Sequence, residues 1–287
     1  MMKEIREKAP AKINLGLDTV YKREDGYHEL KMIMTSVDLS DHLTITSIPE
    51  KEIYLSTDSA FLPCDKRNDV YQAAKKLMTR YNVQTGVNIH IEKNIPVSAG
   101  LGGGSSDCAA ALRALNKLWN LNLSLDELAA IGMEIGTDVP YCVYGRTSLI
   151  TGKGECIHPI EDKLFCYVIL VKPNMSVSTP SVFRALDVTQ VAHPNIDALK
   201  EAIVAGNYQE MIRHMGNSLE EVTIKRIPKI AQIKESMLKF GADAAMMSGS
   251  GPTVFCLVKQ EKRAIRIYNA LKGFNDEVYM VRTLKAK

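Results

Sequence analysis

No run of apolar residues in this 287-residue chain reaches the length of a membrane span. The first residues, Met1-Met2-Lys3-Glu4-Ile5-Arg6-Glu7-Lys8, lack the apolar core of a secretory leader. A cytoplasmic protein with no membrane partner is expected. None of the six cysteines stands in a C-x-x-C pair. The six histidines are scattered and never paired at ligand spacing. Neither a disulfide framework nor a structural zinc site is expected, and no residue is assigned to a protein-built metal site. A net charge of +3 is too small to mark a nucleic-acid partner. Tandem repeats and low-complexity tracts are absent as well. What remains is an ordinary globular composition, 46% hydrophobic and 24% charged, with enough chain for one large domain or two ordinary ones.

The familiar nucleotide motifs are also missing. The only Gly-Lys pair, Gly152-Lys153, is followed by Gly154, so no Walker A loop is present. There is no H-R-D or D-F-G of a protein kinase. Gly100-x-Gly102-x-x ends on Ser105, which breaks the dinucleotide fingerprint by one position.

Against these absences one stretch stands out: Pro96-Val97-Ser98-Ala99-Gly100-Leu101-Gly102-Gly103-Gly104-Ser105-Ser106-Asp107. It follows an alternating, strand-like Val87–Lys93 and precedes an Ala/Leu-rich helical segment from Cys108 to Trp119. Four glycines in five positions clear side chains from a backbone that must approach something closely. Ser105, Ser106 and Asp107 then fall at a helix start, where unpaired N–H groups and the positive dipole end favour an anion. The expected result is a phosphate cradle.

The first sixty residues read as strands: Ile5–Ala9, Lys12–Val20, Leu30–Leu39, Leu43–Thr46 and Ile53–Leu55, with an Asp-Gly turn at Asp25-Gly26. Asp69–Tyr81 is a helix with Val70, Ala73, Ala74 and Leu77 on one face. Ser124-Leu125-Asp126-Glu127 is a capping box opening a helix to about Ile135. A tight connection, Gly136-Thr137-Asp138-Val139-Pro140, follows. Beyond a buried strand at Phe165–Val171, helices are expected over 179–186, 195–205, 208–215 and 228–240. The ending, with strand 254–258, helix 262–271 and strand 277–282, has the split-βαβ layout of a ferredoxin-like sandwich. A boundary near residue 160 divides the chain into 1–160 and 161–287.

Two further stretches carry chemistry. In Ala9-Pro10-Ala11-Lys12-Ile13-Asn14-Leu15 a lysine and an asparagine two apart share one strand face. They suit either an anionic or hydroxyl-bearing ligand or a solvent-facing polar row. Met247-Ser248-Gly249-Ser250-Gly251-Pro252-Thr253 is either a second backbone-rich contact loop or a simple turn closed by Pro252.

Taken together, Pro10–Leu15, the Gly100–Asp107 loop and Met247–Thr253 resemble, in order and separation, the three motifs of the GHMP small-molecule kinases. Asp25-Gly26-Tyr27-His28-Glu29-Leu30 and Gly136–Pro140 point within that family to members acting on a cytidine-diphosphate-linked sugar alcohol. The resemblance implies a two-domain α+β GHMP kinase fold, with a ribosomal-S5-like N-terminal and a ferredoxin-like C-terminal domain. It implies ATP-dependent phosphorylation of a small-molecule alcohol by a monomer or homodimer. Mg²⁺ would be held mainly through phosphate oxygens and water. Within a cofactor-binding stretch from Pro96 to Asp107, the loop from Gly100 to Ser106 would wrap the ATP β- and γ-phosphates; Asn68 would contact adenine, and Lys93, just upstream of the loop, would also serve ATP binding. Lys12 and Asp138 would be catalytic, Asp138 accepting the hydroxyl proton beside the Lys12 ammonium. Tyr27 and Phe183 would stack on cytosine and His28 would read its edge. Asn14, Thr179, Ser248 and Gly249 would complete acceptor binding. Other readings are a different GHMP small-molecule kinase and a GHMP-fold protein that binds without catalysis.

Overall fold

The computed structural model describes residues 3–163 and 165–284. Its elements form two compact units that interleave along the chain. One comprises the chain up to Ala11, Leu39–Val97 and Gly102–Gly145; the other comprises Lys12–Asp38, Ser98–Leu101 and the chain from Arg146 onward. Both draw on the first two strands, which are longer than the sequence pattern indicates. Strand β1 runs unbroken over Glu4–Lys22, and β2 over His28–Ile48. Pro10 does not divide β1, because its fixed φ is compatible with extended backbone.

In the first unit, β3 (Ile53–Thr57) leads to helix α1 (Asp69–Arg80) and then β4 (Gly86–Glu92). β3 pairs parallel with β4, Ile53 opposite Val87, and β4 pairs antiparallel with β2, Ile89 opposite Ile45. Val87, Ile89 and Ile91 are buried while Asn88, His90 and Glu92 face out, the period-two signature of a half-buried strand. α1 buries Val70, Ala73, Ala74, Leu77 and Met78, one face at helical spacing. Helix α2 spans Gly103–Leu118, α3 Leu125–Met133 and α4 Val139–Tyr144. α2 therefore starts inside the glycine run, five residues before the expected Cys108. The N–H groups of a helix's first turn need no intrahelical acceptor, so glycines cost least there. α3 opens on the expected capping box: Glu127 N–H donates to Ser124 Oγ at 3.2 Å, and Ser124 N–H donates to Glu127 Oε2 at 2.8 Å. A Cβ on Gly132 would lie 2.5 Å from Val139 Cγ1, so α3 and α4 meet where a side chain is missing.

In the second unit, β5 (Ser148–Gly152) and β6 (Cys156–Pro159) form a hairpin, with β5 antiparallel to β2 from Leu30 opposite Gly152 to Met34 opposite Ser148. The chain continues through β7 (Tyr167–Lys172), α5 (Thr179–Ala185), α6 (Ile196–Ala205) and α7 (Tyr208–His214). It then forms β8 (Gly216–Asn217), parallel to β1 at Gly16 and Leu17. Next come α8 (Glu220–Arg226), α9 (Lys229–Lys239), β9 (Ala244–Met247), β10 (Val254–Val258), α10 (Glu261–Lys272) and β11 (Glu277–Arg282). The sheet order is β11-β7-β10-β9 with every neighbour antiparallel, which is the split-βαβ arrangement read from the sequence. All five residues of β10 are buried, as its uninterrupted Val-Phe-Cys-Leu-Val requires.

The β5–β6 hairpin, β8, α8 and β9 lie outside the sequence expectations. β9 is Ala-Ala-Met-Met, residues that favour helix, and it is a strand because β10 supplies its ladder. α8 is rich in β-branched residues and is only seven long. The capping box gives a direct test. Ser124→Ala removes the acceptor of Glu127 N–H and should lower the unfolding free energy by about 1 kcal/mol, read from urea titration by far-UV circular dichroism.

Candidate active site

Polar groups that matter for chemistry lie in both units. The glycine loop, whose Ser98–Leu101 part belongs to the second unit, leads into the start of α2 in the first. Positive φ occurs at alternate residues, Ser98 (54°), Gly100 (74°) and Gly102 (68°). Alternation of this kind turns successive N–H groups toward one side, as in an anion-binding nest. Gly102 is the N-cap of α2, and Ser106 N–H returns to its carbonyl at 2.8 Å. The N–H groups of Gly103, Gly104 and Ser105 therefore precede the helical ladder. Gly104 is exposed, and a Cβ added there would meet only Asp69 Oδ2, at 3.8 Å. The surface over this turn is bare backbone.

The two serines differ. Ser106 is buried and its Oγ donates to the Pro10 carbonyl at 2.7 Å, so it ties α2 to β1. Ser105 is half-buried and its hydroxyl has no hydrogen-bond partner among the described residues. Ala99 and Leu101 bury their side chains and can offer only backbone. Pro96 and Val97 lie just upstream, Val97 partly exposed. Asp107 is not at the helix surface. It is buried and takes a 2.7 Å hydrogen bond from Lys93 Nζ, which also donates to buried Asp41.

Asn68, expected at the adenine end, caps α1. Its Oδ1 accepts from Val70 N–H at 2.9 Å and its Nδ2 donates to the Pro63 carbonyl at 2.9 Å. Asp138 is the N-cap residue of α4, half-buried, with backbone near helical values.

In the second unit, Lys12 and Asn14 project from one face of β1 as expected, but that face is not a solvated row. Lys12 is 4% exposed and Asn14 fully buried. Lys12 Nζ donates to Asn14 Oδ1 at 2.9 Å, and Asn14 Nδ2 points to Met32 Sδ at 3.5 Å. A buried ammonium is costly unless it is hydrogen-bonded, and the asparagine supplies one acceptor. The Ser248–Thr253 turn lies against the same group: a Cβ on Gly249 would stand 3.5 Å from both Lys12 Nζ and Asn14 Oδ1. The turn also grips the glycine loop. Ser248 Oγ donates to Gly100 O at 2.9 Å, and Thr253 N–H donates to Ala99 O at 3.3 Å. Lys12 N–H donates to Leu101 O at 2.9 Å. Gly100 is obligatory, because its φ is 74° and a Cβ would sit 2.6 Å from Ser248 O.

Thr179 Oγ1 lies 2.7 Å from Ser250 Oγ, linking the start of α5 to that turn. On α5, the Phe183 ring sits 5.2 Å from the His28 imidazole, tilted by 32°. Burial, with a smaller contribution from Lys22, lowers the His28 pKa below the ordinary imidazole value, so the ring is neutral at pH 7. Tyr27 is 54% exposed, held at the end of an Asx turn in which its N–H donates to Asp25 Oδ1 at 3.1 Å. Lys153 Nζ stands 4.8 Å from the centre of its ring. The structure thus joins Phe183 to His28 and leaves Tyr27 open.

Two contributors escape the sequence. Asn217 Nδ2 donates to Met247 O at 2.9 Å and to Gly249 O at 2.8 Å, which fixes the Ser-Gly-Ser-Gly turn. Asp41 anchors Lys93. Asn217 lies 30 residues from the turn it holds, and Asp41 reads as a connector between the expected strands Leu30–Leu39 and Leu43–Thr46, so neither offers a local pattern.

Comparison with known proteins places this geometry. The model of the GHMP kinases N terminal domain matches residues 68–146, and that of the GHMP kinases C terminal domain matches residues 188–276. The chain is 58% identical over 282 residues to a 4-diphosphocytidyl-2-C-methyl-D-erythritol kinase of Enterococcus faecalis, covering 98% of this chain and 100% of that protein. It is 55% identical over 280 residues to the protein of the same name from Bacillus subtilis, covering 98% and 97%. A crystal structure of 4-(cytidine 5'-diphospho)-2C-methyl-D-erythritol kinase superposes with a TM-score of 0.85 at 30% identity, covering 98% of this chain and 100% of that one. With its buried Lys12–Asn14 pair and its glycine loop opening helix α2, the chain belongs to the GHMP kinase family, among relatives named 4-diphosphocytidyl-2-C-methyl-D-erythritol kinase.

Proposed function

We propose that the protein uses ATP to phosphorylate the 2-hydroxyl of 4-diphosphocytidyl-2-C-methyl-D-erythritol, giving the 2-phosphate and ADP, a step toward isoprenoid precursors. Full-length relatives of that name support it. Within the structure, one observation carries it: the buried Lys12 ammonium donates to Asn14 Oδ1 and lies against the Gly249 turn.

The roles follow from the chemistry each group offers. Phosphoryl transfer needs positioning, neutralisation of charge and an acceptor for the hydroxyl proton. Lys12 supplies the positive charge, and Asp138 takes the proton from the hydroxyl oxygen. The backbone N–H groups of Gly103, Gly104 and Ser105, with the Ser105 hydroxyl, hold the ATP phosphates. Pro96 to Gly102 bring the chain to them. Asn68, at the adenine end, and Lys93, beneath the first turn of α2, act through the backbone they brace, since their own polar atoms are engaged. Mg²⁺ fits this donor set as an ion carried on phosphate oxygens and water: among the described residues no group of three His, Cys, Asp or Glu is placed to hold it. On the acceptor side, Tyr27 offers an open ring for cytosine, Phe183 the facing ring and neutral His28 an edge contact. Asn14, Thr179, Ser248 and Gly249 complete the cytidine-diphosphate polyol site. The division at residue 160 is kept in this proposal, with the two family matches falling on either side of it.

Two measurements test these roles. Asp138→Asn should lower kcat by about 10²–10⁴ while both substrates still bind by calorimetry. Turnover within roughly tenfold of the parent would remove Asp138 from the proton-transfer role. For His28, the lowered pKa means that the neutral ring persists as pH falls through the ordinary imidazole range. The acceptor KM should therefore stay flat from about pH 8 to pH 6.5 and rise only below it, and His28→Gln should abolish that rise. A uridine analogue accepted as well as the cytidine substrate would contradict edge reading by His28.

A further inference from the structure

Asp41, Lys93 and Asp107 reach one another from three stretches of the first unit. Asp41 lies within β2, Lys93 follows β4, and Asp107 sits in the second turn of α2. Their side chains are 0%, 7% and 4% exposed. Lys93 Nζ donates to Asp41 Oδ2, and to Asp107 Oδ2 at 2.7 Å. The other oxygen of Asp41 accepts two backbone bonds, from Asn94 N–H at 2.6 Å and Ile95 N–H at 2.8 Å. Asp41 thus fixes the turn where the chain enters the glycine loop, and Asp107 lies just past the point where it leaves. Between them stands Lys93 Nζ, 3.5 Å from where a Gly103 Cβ would be, with Ile95 Cγ2 3.1 Å from the same point. The floor of the first turn of α2 is this ammonium and this isoleucine.

We propose that Asp41, Lys93 and Asp107 form a positioning device for the nucleotide, which holds the two ends of the glycine loop at the spacing that lets the N–H groups of Gly103, Gly104 and Ser105 meet the phosphates of ATP. None of the three touches the nucleotide. The inference rests on the loop being the phosphate site. Hydrogen bonding, rather than net charge, is what the device requires of residue 107. Two ionised carboxylates on one buried ammonium would leave an uncompensated negative charge beneath an anion site. Burial, reinforced by Asp41, pushes the Asp107 pKa up to about 8, so at neutral pH its carboxyl holds a proton. Despite burial, Asp107 and Asp41 keep the Lys93 pKa above its ordinary value, so the ammonium stays charged. Asp107 Oδ1 is buried without a hydrogen-bond partner among the described residues, and an amide of the same shape can stand in for the protonated acid.

Steady-state kinetics of the intact chain, with ATP and acceptor varied separately, test the device. Asp107→Asn should leave the ATP KM within about threefold of the parent. Asp107→Ala and Lys93→Met should raise it by roughly tenfold or more, the cost of removing a supporting partner, with the acceptor KM unchanged. ADP titration by calorimetry should weaken in parallel. Thermal unfolding of each variant shows that it is folded, and if Lys93→Met does not fold, the Asn and Ala variants of Asp107 decide alone. An unchanged ATP KM in folded Asp107→Ala, or equal rises for both substrates, overturns the proposal. Gly100→Ala separates the two levels. If it leaves the ATP KM unchanged, the phosphate-loop assignment itself fails. If it raises the ATP KM while the Asp107 variants do not, only the positioning role fails.

Discussion

Unsatisfied backbone N–H groups are expensive to bury and useful only when held still. The start of α2 keeps several of them open, and much of the surrounding structure exists to keep them so. Glycine permits the left-handed turns at Gly100 and Gly102, and the same freedom would let the loop collapse. The chain counters this with bonds to the loop's own backbone. Ser248 Oγ, Thr253 N–H and Lys12 N–H take up the carbonyls of Gly100, Ala99 and Leu101 in turn. With those carbonyls occupied, the loop has few ways to satisfy its own N–H groups, and they remain available to an anion.

Buried charge is the second constraint, and it is met differently in the two units. Lys12 is buried and donates to the amide oxygen of Asn14, whose own Nδ2 points to Met32 Sδ. Lys93 is clamped between two acidic groups, so its charge is consumed internally. A buried cation paired in this way is a fastener.

The sequence shows clearly whatever is local. The glycine run, the capping box at Ser124, the α1 face and the final split-βαβ can all be read from patterns a few residues wide, and the structure has each. The Lys12–Asn14 spacing gives the shared face but leaves its burial open, because burial depends on Met32 and on the Gly249 turn far along the chain. Asn68 and Lys93 are legible as polar residues near the loop. Their partners, Pro63, Asp41 and Asp107, turn them from ligand contacts into supports. The same limit hides β9, whose residues favour a helix and whose strand form exists only beside β10. Long strands are also misjudged: polar Ser40 and Asp41 look like an end to β2, yet the ladder continues because Asp41 has a buried cation to meet.

The pairing of β1 with β8 bears on how the chain is made. Thr19 N–H donates to Ser218 Oγ across 199 residues of sequence, and Gly16 and Leu17 pair with Gly216 and Asn217. On a ribosome, these N-terminal residues emerge long before their partners. All of the first unit lies before Arg146, but the distal half of β1 belongs to the other unit and must wait for the C-terminal half to supply its β8 neighbour. Until then β1 has β2 on one side only, and its other edge is a template for mispairing. The interleaved topology that brings Lys12 and the Ser248 turn together therefore carries a kinetic exposure: a temporary dependence on whatever shields nascent strands in the cell.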